Sequence, residues 1–215
     1  EAGGFVPSGV YDADGADGDD FRTVGGDYYK PTDADYEANC DEARQLLADA
    51  GYPNGEGFPV VEYLYNTSDA HKAVAEALQF MWEEELGVKV TLNNQEWAAF
   101  LQTRKDGDYS IARNGWIADY NDPISFLDMW MTGGGNNNAQ YANDDYDALI
   151  KQAKTTTDNA ERMDLLHQAE DKLIGEDSVL APLYFYTQKY MLADGIEGMY
   201  YCPLGYFFFG YTHQA

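Results

Sequence analysis

Residues 60–116, VVEYLYNTSDAHKAVAEALQFMWEEELGVKVTLNNQEWAAFLQTRKDGDYSIARNGW, contain three segments with the composition of β-strands. β-Branched and aromatic residues over Val60–Tyr65 predict the first strand. Alternating apolar and polar residues over Val88–Leu92 predict the second strand, and Tyr109–Trp116 predicts the third. Successive strands are far enough apart in sequence for a helix to connect each of them to the next.

Both connections have helical character. After the turn formed by residues 66–69, apolar residues spaced three and four apart predict a helix that Gly87 terminates. Residues Glu96–Lys105 predict the second helix. The resulting β-α-β-α-β order favours an α/β fold with a parallel or mixed sheet flanked by helices.

The segments outside this region extend the same domain. Residues 1–30 are rich in turn formers and lack periodicity, so we expect an irregular lead-in. We expect a single α/β domain over residues 31–215. Its further predicted elements are a helix at 34–50, a short helix from Pro123, a loop at 133–138, helices at Tyr146–Thr155 and Asn159–Ile174, and an apolar, aromatic strand region at Val179–Leu192.

The composition excludes several classes of protein. The chain has 215 residues, of which 45% are hydrophobic, and this is enough to bury a core. Its formal net charge is −25, with 13 basic and 38 acidic residues and no basic cluster, so nucleic acid is not an expected partner. No stretch approaches the ~20 apolar residues of a membrane span.

The sequence carries no local signature of cofactor or metal chemistry. The three histidines lie far apart, and Cys40 and Cys202 have neither CxxC nor Cys/His spacing. The glycines at 133–135 lack the lysine and hydroxyl residue of a phosphate loop. We therefore expect no metal and no cofactor. The two cysteines allow at most one disulfide, and the helical phase of Cys40 predicts a small buried side chain.

Asp119 and Asp122 follow the third predicted strand. A pair of carboxylates at this position could act as acid and base on a glycosidic bond, which would make the chain a carbohydrate-active enzyme. The alternative is that Asp122 caps the turn before Pro123. The pattern favours capping for Asp122 and leaves Asp119 available for another role.

Residues 93–123, NNQEWAAFLQTRKDGDYSIARNGWIADYNDP, bring aromatic and charged residues to the exit of a strand, where open α/β sheets bind ligands. A tryptophan offers a flat apolar wall, an aspartate can pair with an ammonium group, and Arg104 and Arg113 could each bind a carboxylate. These are the parts that a peptide receptor needs. Trp97 and Trp116 could equally be core aromatics, and both arginines could form ordinary surface pairs.

Several short motifs occur in this sequence in an order that is typical of a known protein family. YNTS at 65–68, NQEW at 94–97 and GWIADYNDP at 115–123 occur together with AGGFVP at 2–7 and APLYFYTQKY at 181–190. This combination closely resembles the C-terminal lobe of oligopeptide-binding proteins, the family 5 extracytoplasmic solute-binding proteins of peptide-import ABC transporters. The resemblance covers nearly the whole chain and implies one lobe of a type II periplasmic-binding-protein-like clamshell.

The resemblance implies how the amino end of an extended peptide is bound. Asp119 would hold the α-ammonium group of the peptide. Trp97 and Trp116 would line the pockets for its side chains. Gly115 and Ile117 would offer backbone hydrogen bonds, so that the protein would accept many peptide sequences.

The resemblance also implies where the carboxylate end of the peptide lies. Arg104, Arg113 and His71 would face it, and peptides of different length would engage different members of this group. Asn66 is a further implied contact. We therefore expect a binding protein rather than an enzyme.

The partners implied are an oligopeptide, a membrane permease and the N-terminal lobe of the same protein. Members of the family are longer, two-lobed proteins, so we expect this chain to be a C-terminal fragment of a monomer. The implied location is extracytoplasmic, either periplasmic or at the cell surface through a lipid anchor on the missing N-terminus. A receptor for peptide signals on the same scaffold is an alternative that this pattern leaves open.

Overall fold

The computed structural model describes residues 1–30, 32–202 and 205–215. Its α-helices in chain order are α1 (Phe21–Gly25), α2 (Tyr36–Asp49), α3 (Asp69–Leu86), α4 (Trp97–Asp106), α5 (Ile124–Leu127), α6 (Asp144–Ala153) and α7 (Asn159–Glu170). A π-helical turn, Asp171–Glu176, continues α7. Short 3-10 turns lie at Gly15–Asp17, Pro53–Gly55 and Asp128–Trp130.

The strands in chain order are β1 (Val61–Asn66), β2 (Val90–Gln95), β3 (Ile111–Ala112), β4 (Ile196–Glu197), β5 (Tyr200–Cys202), β6 (Tyr206–Phe208) and β7 (His213–Gln214). β1 is central in a three-stranded sheet of order β2-β1-β3. Both pairings of β1 are parallel, and Asn66 lies opposite Gln95 at the end of the longer one. Two separate antiparallel pairs, β4 with β7 and β5 with β6, complete the strands.

The predicted α/β class is confirmed, with α3 and α4 as the connections between the parallel strands. Gly87 ends α3 in the left-handed conformation, as expected of a glycine after a helix. Cys40 is buried in α2, as its helical phase predicts. The local signals of helix start, period and end were therefore sufficient for this part of the fold.

The third strand is much shorter than the predicted Tyr109–Trp116. It pairs with β1 only over Ile111–Ala112, and one further backbone bond runs from Arg113 N–H to the Leu64 carbonyl oxygen at 2.8 Å. Beyond it, the side-chain Oδ1 of Asn114 accepts a hydrogen bond from the N–H of Gly115 at 2.8 Å. This local bond competes with continued pairing along the sheet.

The predicted strand region at Val179–Leu192 is also wrong, because the structure assigns no strand to these residues. Composition indicates a segment that suits a pleated surface, but a strand also needs a neighbour with which to pair. The backbone contact that the segment makes near its middle is with the chain start, where Ala2 N–H donates to the Leu183 carbonyl oxygen at 3.2 Å.

The chain divides into two compact units. Unit 1 comprises residues 1–27, 116–128 and 149–215, and unit 2 comprises residues 28–115 and 129–148. Unit 2 contains the parallel sheet, whose core includes five buried side chains: Tyr63, Tyr65, Ala75, Val88 and Val90. A single lobe over residues 31–215 stays a prediction.

Residues 1–27, the part of the lead-in that belongs to unit 1, are less irregular than the sequence predicts. They form a 3-10 turn and α1, which Asp20 caps by accepting a hydrogen bond from the N–H of Thr23 at 2.8 Å. Phe21 is fully buried and stacks on the ring of His167 with 3.9 Å between ring centres. The His167 ring bonds Asp12 at 2.8 Å, so this segment is docked on α7.

A buried ion pair holds the chain start in unit 1. Both terminal nitrogens of Arg22 donate to the carboxylate of Glu170, at 2.9 and 2.7 Å, and Glu170 is completely buried. The same carboxylate accepts the backbone N–H groups of Phe5 and Val6, each at 2.9 Å. Four donors thus satisfy one buried charge, which is the condition for a buried ion pair to be tolerated.

Two glycines make room for this pair. A Cβ atom on Gly4 would collide with the guanidinium of Arg22, and one on Gly3 would collide with the side chain of Asp27. In the AGGFVP motif, the close approach of the backbone to Arg22 therefore explains Gly4, and its close approach to Asp27 explains Gly3.

We predict that Gly4→Ala lowers the free energy of unfolding by about 2–4 kcal/mol, because the added methyl displaces Arg22 and strands the buried charge of Glu170. Urea denaturation measures the change. Gly135→Ala is the matched control, since a Cβ there meets nothing within 4 Å and no left-handed conformation is required. Equal midpoints for the two variants would contradict the prediction.

Candidate functional site

The carboxyl ends of the three parallel strands define one edge of the sheet in unit 2. Asn66 ends β1, Gln95 ends β2 and Arg113 follows β3, so all three lie at this edge. Edges of this kind are where open α/β sheets bind ligands. α3 and α4 begin at the same edge and bring His71 and Trp97 to it.

Asn66 is buried, with 9% of its surface exposed. Its backbone carbonyl oxygen lies 3.3 Å from Nδ1 of His71. Its side-chain Oδ1 has no hydrogen-bond partner in the part of the chain that the structure describes. A buried acceptor without a partner lowers the stability of the fold by about 1–3 kcal/mol. A ligand that donates a hydrogen bond to this oxygen would recover that free energy.

Arg104 is half-buried and is oriented by neutral neighbours. Its Nη1 donates to Oδ1 of Asn114 at 2.7 Å and lies 3.5 Å from the carbonyl oxygen of Arg113. Its guanidinium carbon lies 5.0 Å from the centre of the Phe100 ring, a cation–π contact. Among the described residues, no carboxylate forms an ion pair with Arg104, and its buried Nε has no partner.

The charges at this edge repel one another. Burial, and secondarily the charge of Arg113, lower the pKa of the Arg104 guanidinium. The same two causes, in the same order, lower the pKa of His71. A carboxylate placed here would relieve both effects, because it would stabilise the charged forms of these side chains.

Trp97 is not a core aromatic, since 53% of its surface is exposed at the start of α4. Its ring stacks on that of buried Phe100, with 5.8 Å between ring centres and 26° between planes. Gly115 is exposed, and its N–H is already bonded to Asn114, so its carbonyl oxygen is the backbone group left for a ligand. Trp97 thus presents a flat, supported apolar face.

The other predicted site residues, Trp116, Ile117 and Asp119, belong to unit 1. The indole N–H of Trp116 donates to the carbonyl oxygen of Ser125 at 2.6 Å. The backbone N–H of Asp119 donates to Oγ of Ser125 at 3.0 Å. Ile117 is 73% exposed, and Asp119 is exposed with no ion-pair or hydrogen-bond partner for its carboxylate among the described residues.

Asp122 has a structural role. Its two carboxylate oxygens accept the forked guanidinium of Arg162 at 2.8 and 2.9 Å, and Oδ1 also accepts the N–H of Ile124 at 2.9 Å. The predicted capping role is therefore confirmed. A carboxylate held in this way is a poor acid or base, which argues against a catalytic pair with Asp119.

The model of the family described as "Bacterial extracellular solute-binding proteins, family 5 Middle" matches residues 8–138, more than half of the chain. This chain belongs to that family of solute-binding proteins.

Several relatives of this solute-binding protein are named for peptides. The dipeptide-binding protein DppE of Bacillus subtilis (strain 168) is 39% identical over 191 residues, which cover 88% of this chain and 34% of the relative. The crystal structure of Haemophilus influenzae OppA in complex with RPPGFSPFR is 34% identical, with a TM-score of 0.66 over 74% of this chain and 31% of that one.

A third match covers almost the entire solute-binding chain. Listeria monocytogenes OppA bound to peptide has a TM-score of 0.75 and 26% identity over 99% of this chain and 39% of that chain. The fold is thus that of periplasmic solute-binding proteins, as the resemblance implied. The chain spans about a third of the length of the relatives that it matches.

Three residues that support the site were not predicted from the sequence. Ser125 holds Trp116 and Asp119, Asn114 holds Arg104, and Asn121 bonds residues near the chain start. The Asn-Gly pair at 114–115 is a turn signal that could have identified Asn114. The partners of Ser125 and Asn121 have no comparable local signal.

Two kinds of feature are absent from the described residues. No group of three or more histidine, cysteine, aspartate or glutamate side chains in the described ranges is arranged to hold a metal ion. None of the helices in these ranges is both long and apolar enough to cross a membrane.

We predict that Arg113→Gln raises the pKa of His71 toward its ordinary value of 6.5, because the variant removes the repelling charge and leaves only burial to oppose protonation. NMR titration of the His71 ring measures the shift. Lys105→Gln, which removes an exposed charge from the last turn of α4, is the control and is expected to leave the titration unchanged. Identical titrations in wild type and Arg113→Gln would refute the electrostatic account.

Proposed function

We propose that this chain is the peptide-binding part of a solute-binding protein that captures extended oligopeptides by their termini and backbone for import. The observation that carries the proposal is the half-buried guanidinium of Arg104, which has no carboxylate partner among the described residues of a chain with net charge −25. With 38 acidic residues available, an arginine left without one is suited to a carboxylate that arrives with the ligand.

The carboxylate subsite is in unit 2. Arg104 is held at a fixed orientation by Asn114 and Phe100, so its free donors are presented without rearrangement. Arg113 and His71 add positive or protonatable groups near it. Several donors over one region suit peptides of different length, because different groups can reach the terminal carboxylate.

The ammonium subsite is in unit 1. The exposed carboxylate of Asp119 is available for a charge-assisted hydrogen bond, and its backbone is fixed by Ser125. Trp116 is fixed by the same serine and supplies an apolar wall. Within unit 2, Trp97 presents an exposed apolar face of its own. Gly115 and the exposed Ile117 are the backbone positions that support binding of an extended chain.

The comparisons support a binding protein rather than an enzyme. The matched relatives are named as binding proteins, and two of the matched structures are named as peptide complexes. Asp122, the second carboxylate that a glycosidase would need, is occupied by Arg162. A peptide-signal receptor would use the same contacts and would differ in which peptides it selects.

The proposed partners are a membrane permease of the ABC type and a second lobe of the same monomeric protein. The chain matches about a third of its relatives, and unit 1 exposes a series of large apolar side chains that a further lobe would cover: Tyr184, Tyr186, Tyr190, Met191, Phe209 and Tyr211. The proposed location is extracytoplasmic, periplasmic or lipid-anchored at the cell surface, in line with the family description.

The proposal predicts that Asp119→Asn in the full-length protein weakens binding of tri- to pentapeptides by about 1.5–3 kcal/mol, since a charge-assisted bond to the ammonium group is lost. Titration calorimetry measures the change. Affinity for the same peptides after N-acetylation is expected to be equal in wild type and variant. Asp108→Asn, an exposed aspartate outside the site, is the control, and an unchanged affinity in Asp119→Asn would overturn the ammonium assignment.

The other end of the peptide has a separate test. Arg104→Gln is expected to weaken binding of peptides with a free carboxylate by about tenfold, because the ion pair with the carboxylate is replaced, at best, by a hydrogen bond from a neutral amide. Peptides with a C-terminal amide should bind wild type and variant alike. If the amide peptides lose as much affinity as the free acids, Arg104 does not bind the carboxylate.

A further inference from the structure

The loop that carries Asp119 is not part of any strand. The β3 pairing ends before it, and the loop precedes α5. A single carboxylate gives a strong and selective bond only if its position is fixed, so the contacts of this loop decide how well it can bind an ammonium group. Ser125 fixes the backbone at Asp119, and Arg162 fixes the loop end at Asp122.

The tip of the loop is held by Asn121. Its side-chain Oδ1 accepts the backbone N–H of Tyr11 at 2.8 Å, and its Nδ2 donates to the carbonyl oxygen of Gly9 at 3.0 Å. The carboxamide therefore pairs with a donor and an acceptor two residues apart on the lead-in. Because each partner can play only one role, the orientation of the amide is determined by its neighbours.

Residues 9–11 form a firm support for this contact. The N–H of Gly9 donates to Oδ2 of Asp20 at 2.7 Å, and the N–H of Phe21 donates to the Val10 carbonyl oxygen at 2.8 Å. Val10 is buried, with 6% of its surface exposed. This segment is thus also tied to the start of α1, which is docked on α7.

We infer that Asn121 is a positioning residue for the ammonium subsite, acting through its two bonds to residues 9–11 to fix the carboxylate of Asp119. The inference rests on the proposed function. It makes the lead-in, 110 residues away in sequence, a part of the apparatus that selects peptides with a free amino terminus.

The experiment compares two variants in the full-length protein. Asn121→Ala removes both bonds, and Asn121→Asp keeps an acceptor for Tyr11 but places a carboxylate against the Gly9 oxygen. Both should weaken binding of free-amino peptides by about five- to tenfold and leave binding of N-acetylated peptides unchanged. Amide hydrogen exchange at Tyr11 should become faster in Asn121→Ala. Asn136→Ala, an exposed residue of the 133–138 loop, is the matched control.

The outcomes separate the inference from the proposed function. If wild type prefers free-amino peptides and the Asn121 variants weaken both peptide classes equally, Asn121 has only a structural role and the inference fails alone. If Tyr11 exchange is unchanged in Asn121→Ala, the contact is not formed and the inference is overturned. If wild type itself does not distinguish the two peptide classes, the ammonium subsite is wrong and the inference fails with it. Thermal unfolding of each variant verifies that it is folded.

Discussion

Parallel pairing of β1 with both of its neighbours is the constraint on which the candidate site depends. A parallel connection needs a crossover helix, so α3 and α4 must leave from the same edge at which the strands end. That edge collects Asn66, His71 and Trp97 in unit 2. The early end of β3 then frees the chain that continues to Trp116 and Asp119.

The candidate site contains buried polar and charged side chains that lower the stability of the fold. Burying one guanidinium near another lowers the pKa of Arg104, and leaving the side-chain oxygen of Asn66 without a donor costs free energy. The pair of Arg22 and Glu170 shows the contrast, because there every charge has its partner. Clusters of buried polar or charged groups that lack partners are characteristic of sites where a bound ligand supplies the missing hydrogen bonds and charges.

Local signals were enough to predict most helices and two strands. The apolar period and the terminating glycine of α3 are properties of a short window, and the structure reproduces them. The two wrong strand predictions, Tyr109–Trp116 and Val179–Leu192, have a common cause. Strand formation depends on a partner that is remote in sequence. The first segment has such a partner only over Ile111–Ala112, and no strand is assigned within the second.

The residues of the candidate site likewise differ in how far the sequence could predict them. Its charged residues could be predicted from residue type and position after a strand, and the family resemblance then implied their roles. Their supports could not be predicted, because Asn121 bonds residues 110 positions away and Arg22 bonds Glu170 at a separation of 148. Such contacts exist only once the chain has folded.

The lead-in illustrates why these remote contacts matter for function. Its turn formers and glycines have no period, and by composition alone they resemble a segment without a structural role. Gly4 is required where the backbone approaches Arg22, and Gly9 begins the segment that Asn121 contacts. The same irregular backbone thus donates hydrogen bonds to the buried carboxylate of Glu170 in α7 and also bonds Asn121 in the loop that carries Asp119. Helices and regular strands expose few free backbone donors and acceptors, whereas an irregular segment offers both to side chains. The absence of period is therefore what allows the lead-in to make these contacts.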